Sequence, residues 1–227
     1  MSAPYRILDQ VDPDTRERLL MGHRRIEFPA GHQLIFQADW GHEVYVVVSG
    51  LAKARSLSLQ GEEVVLSLMG SGALIGDLAL LSPQPIRTVD VVALTELSVM
   101  KLRQGALEEA LKSSPRFSNA VTYLQVQRLC DLGNRLMLMN EDATTRLLHS
   151  LQLLATLNSP DGNLRDPLPP LSQQEIATIA GLSRGSTSTL INKLRTNGTL
   201  EQTEKGWRFA SLAPLERRGL LPSPGGG

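Results

Sequence analysis

The stretch 171–200 reads LSQQEIATIAGLSRGSTSTLINKLRTNGTL, and its spacing gathers side chains suited to reading duplex DNA. Arg184 can grip guanine O6 and N7 as a planar fork, and the Ser188 and Thr189 hydroxyls can donate to or accept from base edges. Gly185 shares their face. Ser186 and Lys193 suit phosphates, whose contacts fix register without reading sequence. Ser172 and Gln173, at the start of the preceding helix, join the candidate DNA-facing set, as do Lys205 and Arg208 further on.

That chemistry needs helices in a fixed relation. Ser172 is placed to cap a helix over Gln173–Ala180, with Glu175 at its third position, a capping box. Ile176 and Ile179 supply its buried face, and Ala177 is small where two helices must cross closely. Gly181 suits the left-handed residue that ends a helix. Ser183 then caps a second helix running to Thr196, with Thr187, Leu190, Ile191 and Leu194 pointing inward. Helix, short glycine turn and helix form the helix-turn-helix, whose second helix enters the major groove by its N-terminal end. Asn197-Gly198 turns the chain, and Leu200–Gln202 and Trp207–Phe209 flank Thr203–Gly206 as a hairpin, or wing. An αα-hairpin in an ordinary helical domain is the competing reading.

Other chemistries find little support. Cys130 is the only cysteine, so an internal disulfide and an iron–sulfur cluster are both excluded. In its helix Cys130 reads as a packed residue rather than a redox switch. His23, His32, His42 and His149 form no His-x-His pair, and His42-Glu43 alone is poor metal geometry, so no metal site is expected. Nucleophilic triads and Walker loops are missing. No apolar run approaches the roughly 18 residues of a membrane span, and the N-terminus lacks a secretory h-region. A cytoplasmic protein without membrane partners is expected.

The 227 residues carry 23 Lys/Arg and 23 Asp/Glu, so overall charge does not announce a nucleic-acid partner. From Ala143 to Gly227, nine Lys/Arg stand against six Asp/Glu, a mild basic bias. Three stretches organise the chain. Short β-branched runs at Arg25–Phe28, Gln33–Gln37, Val44–Ser49, Leu51–Leu57, Glu63–Met69, Val89–Ala93 and Glu96–Leu102 predict a sandwich or barrel. Gln60-Gly61 suits a hairpin turn, and Asp14 is placed to cap a short helix within Asp12–Gly22. Pro115–Met139 predicts one long helix capped by Ser114. Its apolar residues Phe117, Val121 and Leu124 are offset from Leu129, Leu132, Leu136 and Met139, whose 3-4-3 spacing is that of a coiled-coil seam. Gly133 sits inside it, where a close helix–helix approach would explain it. A dimer seam and packing on the chain's own barrel both remain open. Thr144–Thr156 is helical. Boundaries follow at 1–113, 114–141, 142–219 and a disordered tail over 220–227.

The order of these parts resembles the Crp–Fnr superfamily of bacterial regulators. Three stretches carry the resemblance: PAGHQLIFQADWGHEVYVVVSGLAKA (29–54), GALIGDLALLSPQPIRTVDVVALTELSVMKL (72–102) and EIATIAGLSR (175–184). The resemblance implies an α+β fold: an N-terminal double-stranded β-helix (jelly-roll) barrel, a long dimerisation helix and a C-terminal winged helix-turn-helix. It implies a sequence-specific DNA-binding transcription regulator, homodimeric, acting with RNA polymerase. The second stretch is similar to the phosphate-binding cassette of cyclic-nucleotide domains. Gly76, Asp77, Leu78, Arg87 and Thr88 thereby stand where such domains hold ribose and phosphate, with Asp77 accepting from a ribose hydroxyl and Arg87 pairing the phosphate. The implied effector is a small anion, cyclic AMP or a 2-oxoglutarate-like acid, with Arg128 assisting Arg87 in the second case. No haem is expected, because residues 70–80 hold no Cys or His.

The sequence also departs from the family. Cyclic-AMP-responsive members usually carry Glu where this chain has Asp77, and a Thr-Ser pair where it has Cys130-Asp131-Leu132-Gly133. The family often has Gly before Asp39, where Ala38 stands. Gly185 and Thr189 replace a Glu and an Arg of the recognition helix. These departures leave an effector-independent regulator with a degenerate pocket as one alternative; the likeness of such barrels to cupins leaves a cupin-type metalloenzyme as another.

Overall fold

The computed structural model describes residues 6–82, 84–204 and 206–221. In the N-terminal unit, which extends to Gly133, a 3-10 turn at Ile7–Asp9 leads into α1 (Pro13–Leu20). The strands are β1 (Arg24–Phe28), β2 (Gln33–Ile35), β3 (Val44–Ser49), β4 (Ala52–Leu57), β5 (Glu63–Met69), β6 (Leu74–Ile75), β7 (Asp90–Ala93) and β8 (Leu97–Leu102). The short α2 (Asp77–Leu81) falls between β6 and β7; α3 (Gln104–Ser113) and α4 (Pro115–Leu138) follow. The strands form two antiparallel four-stranded sheets, ordered β1-β8-β3-β6 and β2-β7-β4-β5. This is the α+β barrel expected.

Two cores hold the unit together. Between the sheets lie Ile35, Val47, Ala52, Met69, Ile75, Val91, Leu97 and Val99. Outside the first sheet, Val44, Val46, Leu74 and Leu102 meet Leu19, Leu107, Phe117, Val121 and Leu124 from three helices. Strand β3 is thus covered on both faces, which explains its unbroken VYVVV run in place of alternation. Fully burying a side chain such as Phe117 contributes about 1.5–3 kcal/mol.

Two local expectations change, and one helix is added. The cap of α1 is Asp12, whose carboxylate accepts from the Thr15 amide at 2.8 Å, with Pro13 at the first helical position; Asp14 lies inside the first turn. Cys130 is exposed rather than packed. Helix α3 has no side-chain cap and is found only in the structure. Ser114 does cap α4, accepting from the Phe117 amide at 3.3 Å. The offset in the apolar stripe separates two environments. Phe117, Val121 and Leu124 are buried, whereas Leu129, Leu136 and Met139 are 70%, 58% and 68% exposed. Ala38 is the one described non-glycine residue with positive φ, at 68°, a conformation that favours glycine.

The C-terminal unit begins at Asn134. It contains α5 (Ala143–Asn158), α6 (Gln173–Ala180), α7 (Arg184–Thr196), β9 (Leu200–Thr203), β10 (Gly206–Phe209) and α8 (Ala213–Glu216). Asp142 caps α5, accepting from the Thr144 and Thr145 amides. Leu147, Leu148, Leu151, Ile179, Ile191, Leu194, Phe209 and Leu215 are buried. Of the expected disordered tail, Leu220 and Leu221 are described, the Leu220 carbonyl accepting from Gln152 at 2.8 Å. Residues 222–227 lie outside the described residues.

Candidate functional site

The helix-turn-helix is assembled by local chemistry. The Ser172 hydroxyl accepts from the Glu175 amide at 3.1 Å and starts α6. Gly181 ends it at φ 62°, a conformation costly for other residues. The Ser183 hydroxyl accepts from the Ser186 amide at 3.1 Å and starts α7. Ala177 is fully buried at the crossing. On α7, Thr187, Ile191 and Leu194 face inward and Leu190 is half-buried. The opposite side is open: Arg184, Gly185, Ser186, Thr189 and Lys193 are exposed and Ser188 half-buried. Ser172 and Gln173 are exposed at the start of α6. The expected reading edge is therefore free in this chain, which suits insertion into a major groove.

The hairpin after α7 pairs Leu200 with Phe209 and Thr203 with Gly206 in antiparallel register. Arg208 is not idle: its guanidinium holds Glu201 at 2.5 Å across the hairpin. Lys205 lies outside the described residues. Arg135 donates to the Ile179 carbonyl at 2.8 Å, near the end of α6. Burial, and then the Arg135 charge, pushes the His149 imidazole below its ordinary pKa.

The second candidate site is a cavity of about 220 Å³ in the N-terminal unit. Its walls are largely apolar, with Ile35, Met69, Leu74, Val89 and Val91 prominent, and its other lining residues include Gly76, Asp77, Arg87, Thr88 and Arg128. All five residues expected from the cassette line it, and so does Arg128. Leu132 of α4 completes the wall.

Their pairings differ from those expected. Arg87 is buried and donates to the Gly76 and Glu43 carbonyls at 2.9 Å, with the Glu43 carboxylate 3.3 Å away. It lies in a slot that glycine keeps open. A Cβ at Gly76, whose φ is +89°, would stand 2.4 Å from the Glu43 carbonyl; one at Gly41 would stand 2.9 Å from the guanidinium. Arg128, which lines the cavity with Arg87, has partners of its own. Its guanidinium holds both Asp77 oxygens, at 2.9 and 2.7 Å, and the Leu74 carbonyl at 2.5 Å. Gln125 donates to Asp77 at 2.5 Å. The Asp77 carboxylate, expected to accept from a ribose, is thus already engaged by α4.

Sequence reasoning missed Glu43, Gln125 and Leu132. Gln125 stands three residues before Arg128, a spacing that puts both on one helix face, so half of that signal was present. Nothing local marked Glu43. Its own amide, and then Lys101 and Arg87, hold its carboxyl below the usual carboxylate range against the opposing effect of burial. Among the described residues no three His, Cys, Asp or Glu gather as metal ligands. No described helix is long and apolar enough to cross a membrane.

Comparison with known proteins separates the chain into two matched regions. Residues 25–114 match the model of the cyclic nucleotide-binding domain, and residues 145–218 match that of the Crp-like helix-turn-helix domain. The CRP-like cAMP-activated global transcriptional regulator of Mycobacterium tuberculosis is 25% identical over 214 residues, covering 93% of this chain and 95% of that protein. The cyclic AMP receptor protein of Thermus thermophilus is 28% identical over 192 residues, covering 83% and 84%. In structure, the c-di-GMP responsive global regulator CLP of Xanthomonas campestris superposes with a TM-score of 0.69 at 24% identity, covering 88% of this chain and 100% of that one.

Proposed function

The chain belongs to the Crp–Fnr superfamily of DNA-binding transcription regulators, not enzymes, and from that premise we propose that a cyclic nucleotide in the barrel cavity controls how a dimer presents two α7 helices to DNA. The observation that carries this reading is the cavity itself, walled on one side by barrel strands and on the other by Arg128 and Leu132 of α4. A ligand there touches both the sensor and the helix that leads out of it. It favours the DNA-competent arrangement only by binding that arrangement more tightly.

The ligand class follows from the walls. A broad apolar lining with a cation and a hydroxyl adjacent in sequence, Arg87 and Thr88, suits a planar base joined to a phosphate. A 2-oxoglutarate-like acid would leave most of that lining against carboxylates or water, and Arg128 is committed to Asp77. The incoming phosphate displaces the half-exposed Glu43 carboxylate from Arg87. Two relatives carry cyclic AMP in their names and a structural neighbour responds to cyclic di-GMP, which adds weight to this class.

The pairings of Asp77 and Arg87 favour one second reading. Arg128 and Gln125 bind α4 to the cassette without help, so a regulator needing no effector would look the same. Calorimetry decides between them. With cyclic AMP, cyclic di-GMP and 2-oxoglutarate titrated in turn, a cyclic nucleotide should give saturable heat that Arg87→Ala abolishes. Silence with all three, alongside tight DNA binding, would favour the effector-free regulator; heat from 2-oxoglutarate alone would overturn the nucleotide assignment.

Dimerisation is proposed through α4. Leu129, Leu132, Leu136 and Met139 leave an apolar stripe at seam spacing, and a Cβ at Gly133 would meet open space. A second copy supplies the matching stripe. The proposed RNA polymerase contact rests on the family alone.

A further inference from the structure

The C-terminal unit holds a crevice of about 170 Å³ that the reading edge of α7 does not use. Lys193, Arg217 and Arg218 converge on it from two segments, together with Thr144 at the start of α5 and Asn197 at the end of α7. None of its lining residues is acidic. Lys193 and Arg217 make no ion pair among the described residues. Arg218 uses its Nε to donate to the Thr145 hydroxyl at 3.1 Å, and both its Nη groups remain without a hydrogen bond among the described residues. Asp142 feels the Arg218 charge, yet its carboxylate is taken up by the Thr144 and Thr145 amides and the Thr145 hydroxyl. The α7 macrodipole accounts for Lys193 near that helix's C-terminus. It does not account for two arginines brought from beyond α8. Gathered like charges repel, and an anion between them removes that cost.

The position says which anion. Ser186, Leu190, Lys193 and Asn197 follow one another at spacings of four, three and four, so they form a line along one flank of α7. Gly185, Thr189 and Asn192 occupy the exposed face beside it, with Arg184 and Ser188 on the far side of that face. A helix lying in a major groove has the sugar–phosphate backbone at its flank, and this flank leads from the exposed Ser186 into the crevice. Resting on the DNA-binding reading above, we infer that the crevice seats a backbone phosphate at the rim of the groove, held by Lys193, Arg217 and Arg218. The contact carries no sequence information; it adds affinity and fixes register.

The test is the salt dependence of duplex binding for the full-length protein and the double variant Lys193→Gln/Arg217→Gln. Neither side chain holds a structural bond, and a thermal melt checks that the variant is folded. The slope of log K against log salt should become less negative by about 0.9 for each phosphate lost. Affinity should fall by one common factor on a selected duplex and on a random-sequence duplex. An unchanged slope would overturn the inference, and so would a loss confined to one of the two duplexes. Stabilisation by inorganic phosphate that disappears in the variant, with the DNA slope unchanged, would give the crevice to a free anion and also overturn it. A wild-type protein that binds no duplex would sink the DNA-binding reading itself; wild-type binding with an unaltered variant slope sinks only this site.

Discussion

Arg128→Ala lowers the stability of the N-terminal unit by about 3–5 kcal/mol, the usual result of stripping one partner from a buried ion pair. The Asp77 side chain is only 3% exposed, and among the described residues Arg128 is the one cation bonded to it, at 2.7 Å. Deleting the guanidinium leaves a buried carboxylate without its cation, with Gln125 the remaining side-chain donor among the described residues. The Leu74 carbonyl loses a donor in the same step. Removing both charges behaves differently. Asp77→Leu with Arg128→Met replaces the pair by apolar groups of similar size, and much of the lost stability returns. Urea unfolding followed by circular dichroism measures all three proteins. A cost below about 1 kcal/mol for Arg128→Ala would place the pair among solvated surface bridges and remove the link from cassette to α4.

Leu129→Glu combined with Leu136→Glu should convert the protein to a monomer and cut affinity for a two-half-site duplex by about 10²–10⁴. That range is the gain from tethering two binding modules at a suitable distance. Both leucines are more than half exposed in the single chain, so the charges disturb no packing within it. Facing a second α4, four carboxylates would crowd one seam and repel. Analytical ultracentrifugation reads the oligomer, and binding to a single half-site reports whether α7 still works. A variant that stays dimeric would show that α4 is not the seam.

How legible these features were depends on the range of the interactions behind them. The bounds of α6 agreed with the structure because Ser172 and Gly181 mark its ends within a few residues. Strands β3 and β5 were placed residue for residue for a similar reason: turn residues close each run. The α1 cap is Asp12 and not the expected Asp14; the local mark was Pro13, since proline favours the position after a cap. Helix α3 begins at Gln104, and Arg103 before it makes no side-chain cap, so its start leaves no mark. The cassette residues could be located by resemblance, but their partners could not. Asp77 meets Arg128 across 51 positions, and Arg87 meets Glu43 across 44. Only the folded barrel brings them together. Cys130 reads from the sequence as packed because cysteine is usually buried, whereas the structure leaves it exposed.

Selecting duplexes from a random pool with the wild-type protein and with Arg184→Ala in parallel bears most directly on the central claim, that the front edge of α7 reads base pairs. The wild type should enrich a near-palindrome whose half-sites lie about one helical turn apart, roughly 34 Å. Arg184→Ala should lose about 1–3 kcal/mol on that duplex and accept any base at one position per half-site, with random-sequence binding unchanged. Identical enriched sequences and equal affinities for the two proteins would contradict it.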